Sequence, residues 1–293
     1  MRYLISIFIV AALFACRKKE LPIAPRESGD LKTGSVEMRP DYRYQVYYHL
    51  ASNSVVGKNL RTDWDLAFST GVDDKHIITN SALAMSAAFF PGKNILDDID
   101  LQNFEDIRVF DPATGNLDSG AFANWWEKPG VYVIDRGFSF TGAALGRRKI
   151  QILEVTDTHY ELQVANLDNS NLTTVKIEKQ PAYAYSYLSF EDNQQKTIAP
   201  PKDEWDLLFT QYTHIFYEPE PLPYLVNGVW LNPHNTAALR LESPPFEEID
   251  LTFALSQTFS KKWNTIGYRW KSFVDGNFII HFDVTYLVKD QQE

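Results

Sequence analysis

The chain predicts a mainly β fold made of two related antiparallel β-rich units with long loops, and three observations predict it. Asp63-Trp64-Asp65-Leu66-Ala67-Phe68 returns 141 positions later as Glu204-Trp205-Asp206-Leu207-Leu208-Phe209, in a chain of 293 residues. Alternation of period two, which places successive side chains on opposite faces of a strand, recurs along the body, while no long stretch carries a 3.6-residue apolar stripe. Aromatic residues make up 14% of the chain, a composition suited to pleated, half-buried surfaces.

The elements follow in order. Arg2 precedes an apolar run from Tyr3 to Phe14, broken only by Ser6. It is shorter than the roughly 20 residues that a spanning helix needs, so residues 1–15 are expected to be a cleaved export signal peptide. Leu13-Phe14-Ala15-Cys16 resembles a bacterial lipobox, which makes Cys16 the expected lipidated first residue of the mature chain. Cys16 is the only cysteine, so no internal disulfide can form. Residues 16–40 carry Pro22, Pro25, Gly29, Gly34 and Pro40 among charges, the composition of a flexible tether. Removal of residues 1–15 takes Arg2 and leaves 27 Lys and Arg against 38 Asp and Glu, a balance of −11. That balance excludes nucleic acid as a partner and leaves the lipid anchor as the means of holding a membrane.

The first β unit is expected over residues 41–180. Tyr47-Tyr48-His49-Leu50 leads to the first tryptophan strand, where period two would put Trp64, Leu66 and Phe68 on one buried face and Asp63 and Asp65 on the other. Asn80 follows, then Ser81 to Phe90, a short helix or a buried strand that Pro91-Gly92 stops. Val131 to Asp135, Lys149 to Val155, Tyr160 to Val164 and Thr174 to Ile177 alternate as strands, with a turn at Asn166 to Ser170. The adjacent Trp125 and Trp126 cannot both face one core from a strand, which leaves one exposed or at a contact. The second unit is expected over residues 181–293. Tyr185-Ser186-Tyr187-Leu188 and Pro200-Pro201 lead into the second tryptophan strand, Pro219, Pro221 and Pro223 stiffen a loop, and Asn227 takes the place of Asn80. Phe246 to Phe259 has no helical stripe, and Phe278 to Val288 alternates up to Asp290. The first copy continues past its closing strand whereas the second stops, so the second unit is expected to lack its closing strands or to borrow them.

The lipoprotein start, the two Trp-Asp-Leu-x-Phe strands, Thr210-Gln211-Tyr212-Thr213, Pro223-Tyr224-Leu225-Val226-Asn227-Gly228-Val229 and Ile266-Gly267-Tyr268-Arg269-Trp270-Lys271 together resemble the HmuY-like lipoproteins of Bacteroidetes. The resemblance runs from about residue 41 to the end. It implies a mainly β fold and a place on the outer membrane, at its periplasmic or cell-surface face. It also implies capture of haem and its transfer to an outer-membrane transporter. In the haem-binding members the axial ligands are His or Met in particular loops. Here no His or Met occurs between Ser86 and Thr158 or between Asn235 and Ile280, and Val274 or Asp275 stands where one ligand would be.

Six histidines are present, at 49, 76, 159, 214, 234 and 281, and none has the spacing of a metal pair. His49 and His281 fall in strand patterns. His214, just beyond the second tryptophan strand, and His234, after the Asn232-Pro233 turn, are the pair with a chance of converging on haem iron. Tyr217, Tyr224 and Trp230 flank the proline loop and suit a sugar ring or a flat porphyrin. Asp63 and Asp65 lie side by side instead of facing one another across a cleft, and Asp97, Asp98 and Asp100 form a solvated turn, so no glycosidase pair is indicated. No nucleophile elbow, zinc-protease helix or phosphate loop occurs, and a lipidated Cys16 leaves no free thiol. The sequence therefore points to a binding protein and not to an enzyme, with haem as the leading ligand and a glycan or a transporter as the alternative.

Overall fold

In the computed structural model, which describes residues 32–290, each tyrosine-rich strand pairs with the tryptophan strand of the other copy. The signal peptide, Cys16 and the tether up to residue 31 lie outside the described residues. In chain order the strands are β1 (Tyr44–His49), β2 (Ser54–Leu60), β3 (Leu66–Ser69), β4 (Ile77–Thr79), β5 (Ser86–Pro91) and β6 (Gly130–Asp135). They continue as β7 (Arg147–Val155), β8 (His159–Ala165), β9 (Thr173–Glu178), β10 (Tyr185–Ser189), β11 (Gln194–Lys196) and β12 (Leu207–Phe216). The last are β13 (Leu222–Leu231), β14 (Ala237–Leu241), β15 (Lys271–Val274), β16 (Asn277–Ile280) and β17 (Thr285–Lys289). Among the described residues helix is limited to α1 (Phe104–Ile107), α2 (Leu251–Leu255) and short 3₁₀ turns. With 41% strand against 8% helix, the mainly β prediction holds.

Two four-stranded antiparallel sheets result, ordered β13-β12-β1-β2 and β4-β3-β10-β11. Position by position they are the same sheet, each holding the tryptophan strand of one copy and the tyrosine strand of the other. The boundary expected between residues 180 and 181 therefore does not separate the sheets, and Gly34–Glu293 forms one unit.

The duplicated motif explains the exchange. The backbone N–H of Asp65 donates to Leu188 O at 2.8 Å, and its Oδ2 accepts from Phe190 N at 2.6 Å. In the other sheet Asp206 N donates to Tyr48 O at 2.9 Å, and its Oδ2 accepts from Leu50 N at 2.7 Å. Each aspartate thus carries the β-ladder one step further with its side chain and is buried in doing so, 0% and 2% exposed, against the expectation that Asp65 shares a polar face with Asp63. The rings add a matching contact. Trp64 meets Tyr187 at 5.1 Å and Trp205 meets Tyr47 at 5.0 Å, both edge to face.

The tryptophans do not share a face with the following Leu and Phe. Both stand before their strands, at the bend formed around the aspartate. Trp64 and Ala67 join Tyr47, Tyr187, Trp205 and Leu208 in a core common to the two sheets, whereas Leu66 and Phe68 enter the main core with Ile134, Ile150 and Tyr160.

The asparagine that completes each motif is Asn80 in the first copy and Asn232, not Asn227, in the second. Asn80 Nδ2 donates to Arg61 O and Trp64 O at 2.7 and 2.8 Å, and its Oδ1 accepts from Ala82 N. Asn232 Nδ2 donates to Lys202 O and Trp205 O at 2.8 and 2.6 Å, and its Oδ1 accepts from His234 N. Asn227 lies inside β13, opposite Gln211.

Beyond the asparagine, Ser81 to Phe90 resolves into a 3₁₀ turn, Ser81–Leu83, and then β5. The five-stranded sheet β5-β6-β7-β8-β9 covers the main core. Its first pair has a counterpart in β14-β17, down to the isolated bridges Ala87 to Val109 and Ala238 to Ser260. Among the described residues the second copy has nothing equivalent to β7, β8 and β9. The alternation from Phe278 to Val288 is interrupted by a turn, so it forms β16 and β17 instead of one strand.

Candidate functional site

The two copies differ most in the hairpin that follows the tryptophan. In the first copy β3 and β4 pair over three residues, whereas β12 and β13 pair over ten, from Leu207–Leu231 to Phe216–Leu222. The extra length carries the hairpin beyond its sheet, and its residues decide what that end can do.

One face of this hairpin runs from core to solvent. Opposed residues in an antiparallel pair share a face, so Leu208 and Trp230, Tyr212 and Val226, His214 and Tyr224, and Phe216 and Leu222 form one row. Trp230 packs on Tyr212 at 5.2 Å and on Trp263 at 5.4 Å in the interior. Tyr212 is fully buried beside Ala113 and Val226. Outward from there the row becomes exposed: Tyr224 is 59% exposed, Leu222 58% and Phe216 37%.

A second segment reaches across this row. Gly228 and Gly267 approach so closely that a Cβ on Gly228 would lie 2.4 Å from Gly267 O, and the contact is locked by Val229 N to Gly267 O at 3.0 Å and the reciprocal bond at 2.9 Å. Gly267 has φ +57, a conformation natural to glycine, which turns Tyr268 over the hairpin. His214 is then flanked edge to face by Phe216 at 4.8 Å and by Tyr268 at 5.1 Å. Among the described residues no hydrogen bond to its imidazole is formed. Burial, aided by the Arg269 charge, lowers the His214 pKa, so the ring is neutral at neutral pH. A neutral, half-buried imidazole with free nitrogens, in an aromatic setting, can donate a lone pair to a metal centre and support a flat ring system.

Of the residues singled out from sequence, His214 and Tyr224 meet here, and Tyr217, 71% exposed, follows directly on Phe216 at the hairpin end. Trp230 shares the face but lies six residues inward along β13, about 20 Å at strand spacing. His234 is farther away still. Its backbone N–H donates to Asn232 Oδ1 and its Nε2 lies 3.3 Å from Asp203 Oδ1, at the end of the hairpin where Leu207 meets Leu231. From Leu207 to His214 is seven residues, about 23 Å. Two axial ligands of one iron lie about 4 Å apart at ordinary bond lengths, so His214 and His234 do not share a haem. The expected convergence of this pair is corrected by the long, straight hairpin between them. The interior cavity at Tyr47, Trp64, Tyr187, Trp205, Trp230 and Trp263 has about 50 Å³, far below the several hundred that enclose a ligand of porphyrin size.

Two features escaped the sequence reading. The β15-β16 hairpin is exposed on both faces, with Phe273 at 65% and Phe278 at 55% on one and Ile279 at 48% on the other, and Phe282 beyond it is 92% exposed. It starts at Lys271, directly after the Tyr268 segment, and Lys271 Nζ lies 4.7 Å from the Phe278 ring. Glu154, His159 and Glu161 bring their donor atoms within 4.8 Å of one another on the outer face of β7-β8. Spacing of histidines alone gave no sign of them; the hairpin register, which sets Glu154 opposite Glu161, is the signal. Of the adjacent tryptophans, Trp126 is the exposed one, at 41%, while Trp125 Nε1 donates to Lys75 O at 2.7 Å.

Comparison with models of known protein families, with curated proteins and with solved structures finds no match.

Proposed function

We propose that this chain is a non-catalytic binding lipoprotein of the cell envelope, held to the outer membrane through Cys16, that captures a flat apolar ligand of the haem or porphyrin type on the outer end of the β12-β13 hairpin. The observation that carries the reading is His214, a neutral imidazole without a hydrogen-bond partner among the described residues, set between Phe216 and Tyr268 and beside Tyr224. His214 supplies a single axial nitrogen, and the aromatic side chains lie against the ring edges and face. The resemblance to HmuY-like lipoproteins supports the same ligand class and a role in handing it to an outer-membrane transporter. Titration of haemin into protein beginning at residue 17 tests it: a saturable Soret shift at one haem per chain is expected, and a spectrum that stays that of free haemin would remove haem as the ligand.

A second reading rests on the bare β15-β16 hairpin. Phe273, Phe278 and Phe282 are the kind of exposed apolar surface that marks a protein contact. In that reading the chain is an accessory of an outer-membrane transporter and carries no haem. Copurification of a transporter with the lipidated protein, abolished by Phe278→Ser and Phe282→Ser while haemin leaves the spectrum unchanged, would favour it.

A further inference from the structure

The second copy leaves a strand edge open where the first copy carries β7. β6 lies between β5 and β7, whereas its counterpart β17 pairs with β14 alone. The matching bridges show which backbone groups this frees. Ala87 exchanges both backbone bonds with Val109 at 3.0 and 2.8 Å, and Ala238 does the same with Ser260 at 2.9 and 2.8 Å. Each alanine therefore turns its N–H and C=O away from the residue opposite it in the ladder, Ile134 in one copy and Val288 in the other. Alternation along the strand then directs Leu287 and Lys289 at β14 and directs the N–H and C=O of Tyr286 and Val288 outward. The equivalent groups of the first copy, on Tyr132 and Ile134, face Ile150 and Arg148 of β7. Among the described residues those of Tyr286 and Val288 have no backbone partner.

This edge is uncovered and carries little to repel a neighbour. Val133 and Ile134 are fully buried, whereas Leu287 and Val288 in the equivalent places are partly exposed. Strand edges are ordinarily blunted by shortness, bulges, proline or charge. β4 and β11 are three residues long, and a register shift interrupts the β1-β2 ladder. β17 is Thr285-Tyr286-Leu287-Val288-Lys289, with one charge, at its end, and neither Pro nor Gly. A two-stranded sheet such as β14-β17 is also marginal until further strands join it.

The sequence of β17 is complementary to itself when reversed. Antiparallel pairing about a two-fold axis at Leu287 sets Tyr286 opposite Val288 of a second copy, so the open N–H and C=O groups of both residues satisfy one another. Thr285 then stands opposite Lys289, no like charges oppose each other, and Leu287 meets Leu287. We infer that β17 is a dimerisation edge, which pairs with β17 of a second copy of this chain and joins the two β14-β17 pairs into one continuous sheet. The assignment does not depend on the haem reading.

Protein beginning at residue 17 lacks Cys16 and so has no thiol, which lets a single introduced cysteine report the register. In the paired edge Leu287 faces itself in a non-hydrogen-bonded pair, with Cα atoms about 4.5 Å apart and within disulfide reach. Thr285 and Lys289 share its face, but each lies about 14 Å from its own equivalent. Sedimentation of this protein should give twice the monomer mass. Oxidation by dissolved oxygen with copper phenanthroline should convert Leu287→Cys to a covalent dimer and leave Thr285→Cys and Lys289→Cys without one. Val288→Pro removes an outward N–H that the β14 ladder does not use, and should give a monomer with unchanged far-UV circular dichroism. Phe278→Ser with Phe282→Ser should leave the dimer intact. A wild-type chain that sediments as a monomer, a dimer in which Leu287→Cys does not cross-link, or equal cross-linking of all three cysteines overturns the assignment.

Discussion

Replacing Asn232 by alanine should cost nearly as much stability as replacing Asn80, and replacing Asn227 should cost little. Asn80 and Asn232 are each 0% exposed. Each satisfies two backbone carbonyls and one N–H in the bend that holds its tryptophan and aspartate. Alanine leaves these three groups buried without partners, at about 1–1.5 kcal/mol apiece, so about 3–5 kcal/mol in each variant. Asn227 is half-buried, and its Oδ1 makes no hydrogen bond, so Asn227→Ala should change stability by less than about 1 kcal/mol. Urea unfolding followed by tryptophan fluorescence gives the three values, and because both motifs clamp one exchanged assembly, a single transition is expected in every variant. A cost at Asn227 equal to that at Asn232, or two separate transitions, would refute the equivalence of the two bends.

Asp65→Asn strands the buried Arg136 guanidinium, which donates to both carboxylate oxygens, and should cost about 3–5 kcal/mol; adding Arg136→Met should recover part of it in the same urea assay. His214 binds protons more weakly in the folded protein than its ordinary 6.5, so the unfolded state holds more protons below that pH. Its contribution is therefore level above about pH 6.5 and falls as pH drops below it, and His214→Phe should flatten that limb of a stability–pH profile. Gly228→Ala pushes a methyl group into Gly267 O and should lift Tyr268 from His214, weakening haemin binding about tenfold or more while far-UV circular dichroism stays unchanged.

The repeat was legible because Trp-Asp-Leu is a structural device: the aspartate must extend a ladder with its side chain, so the same residues return wherever the bend does. The exchange of strands was not, because period two along one strand says which residues are buried and nothing about which strand lies beside it. The same limit misplaced the tryptophans, since Trp64 and Trp205 stand at bends where strand alternation has not begun. Asn232 was missed for a different reason. It lies 27 positions after Trp205, whereas Asn80 lies 16 after Trp64, and the difference of 11 is the added length of the β12-β13 hairpin. That insertion carries His214, Phe216, Tyr217, Leu222 and Tyr224, so the candidate site sits where the copies stop resembling one another. His214 and Tyr224 could be selected from sequence by chemistry. Their partner Tyr268 could not, because it arrives from 44 residues beyond Tyr224 through a glycine contact that no local pattern announces. His234 shared the residue type and loop setting of a ligand, and only the length of the strand between it and His214 separates them.

The most direct measurement is one series of haemin titrations on the wild-type chain from residue 17, His214→Ala and His234→Ala, followed in the Soret region at neutral pH. Saturable one-to-one binding that is lost in His214→Ala and retained in His234→Ala is the predicted result. Binding that survives His214→Ala, or that fails only in His234→Ala, would contradict a ligand site at the outer end of the hairpin.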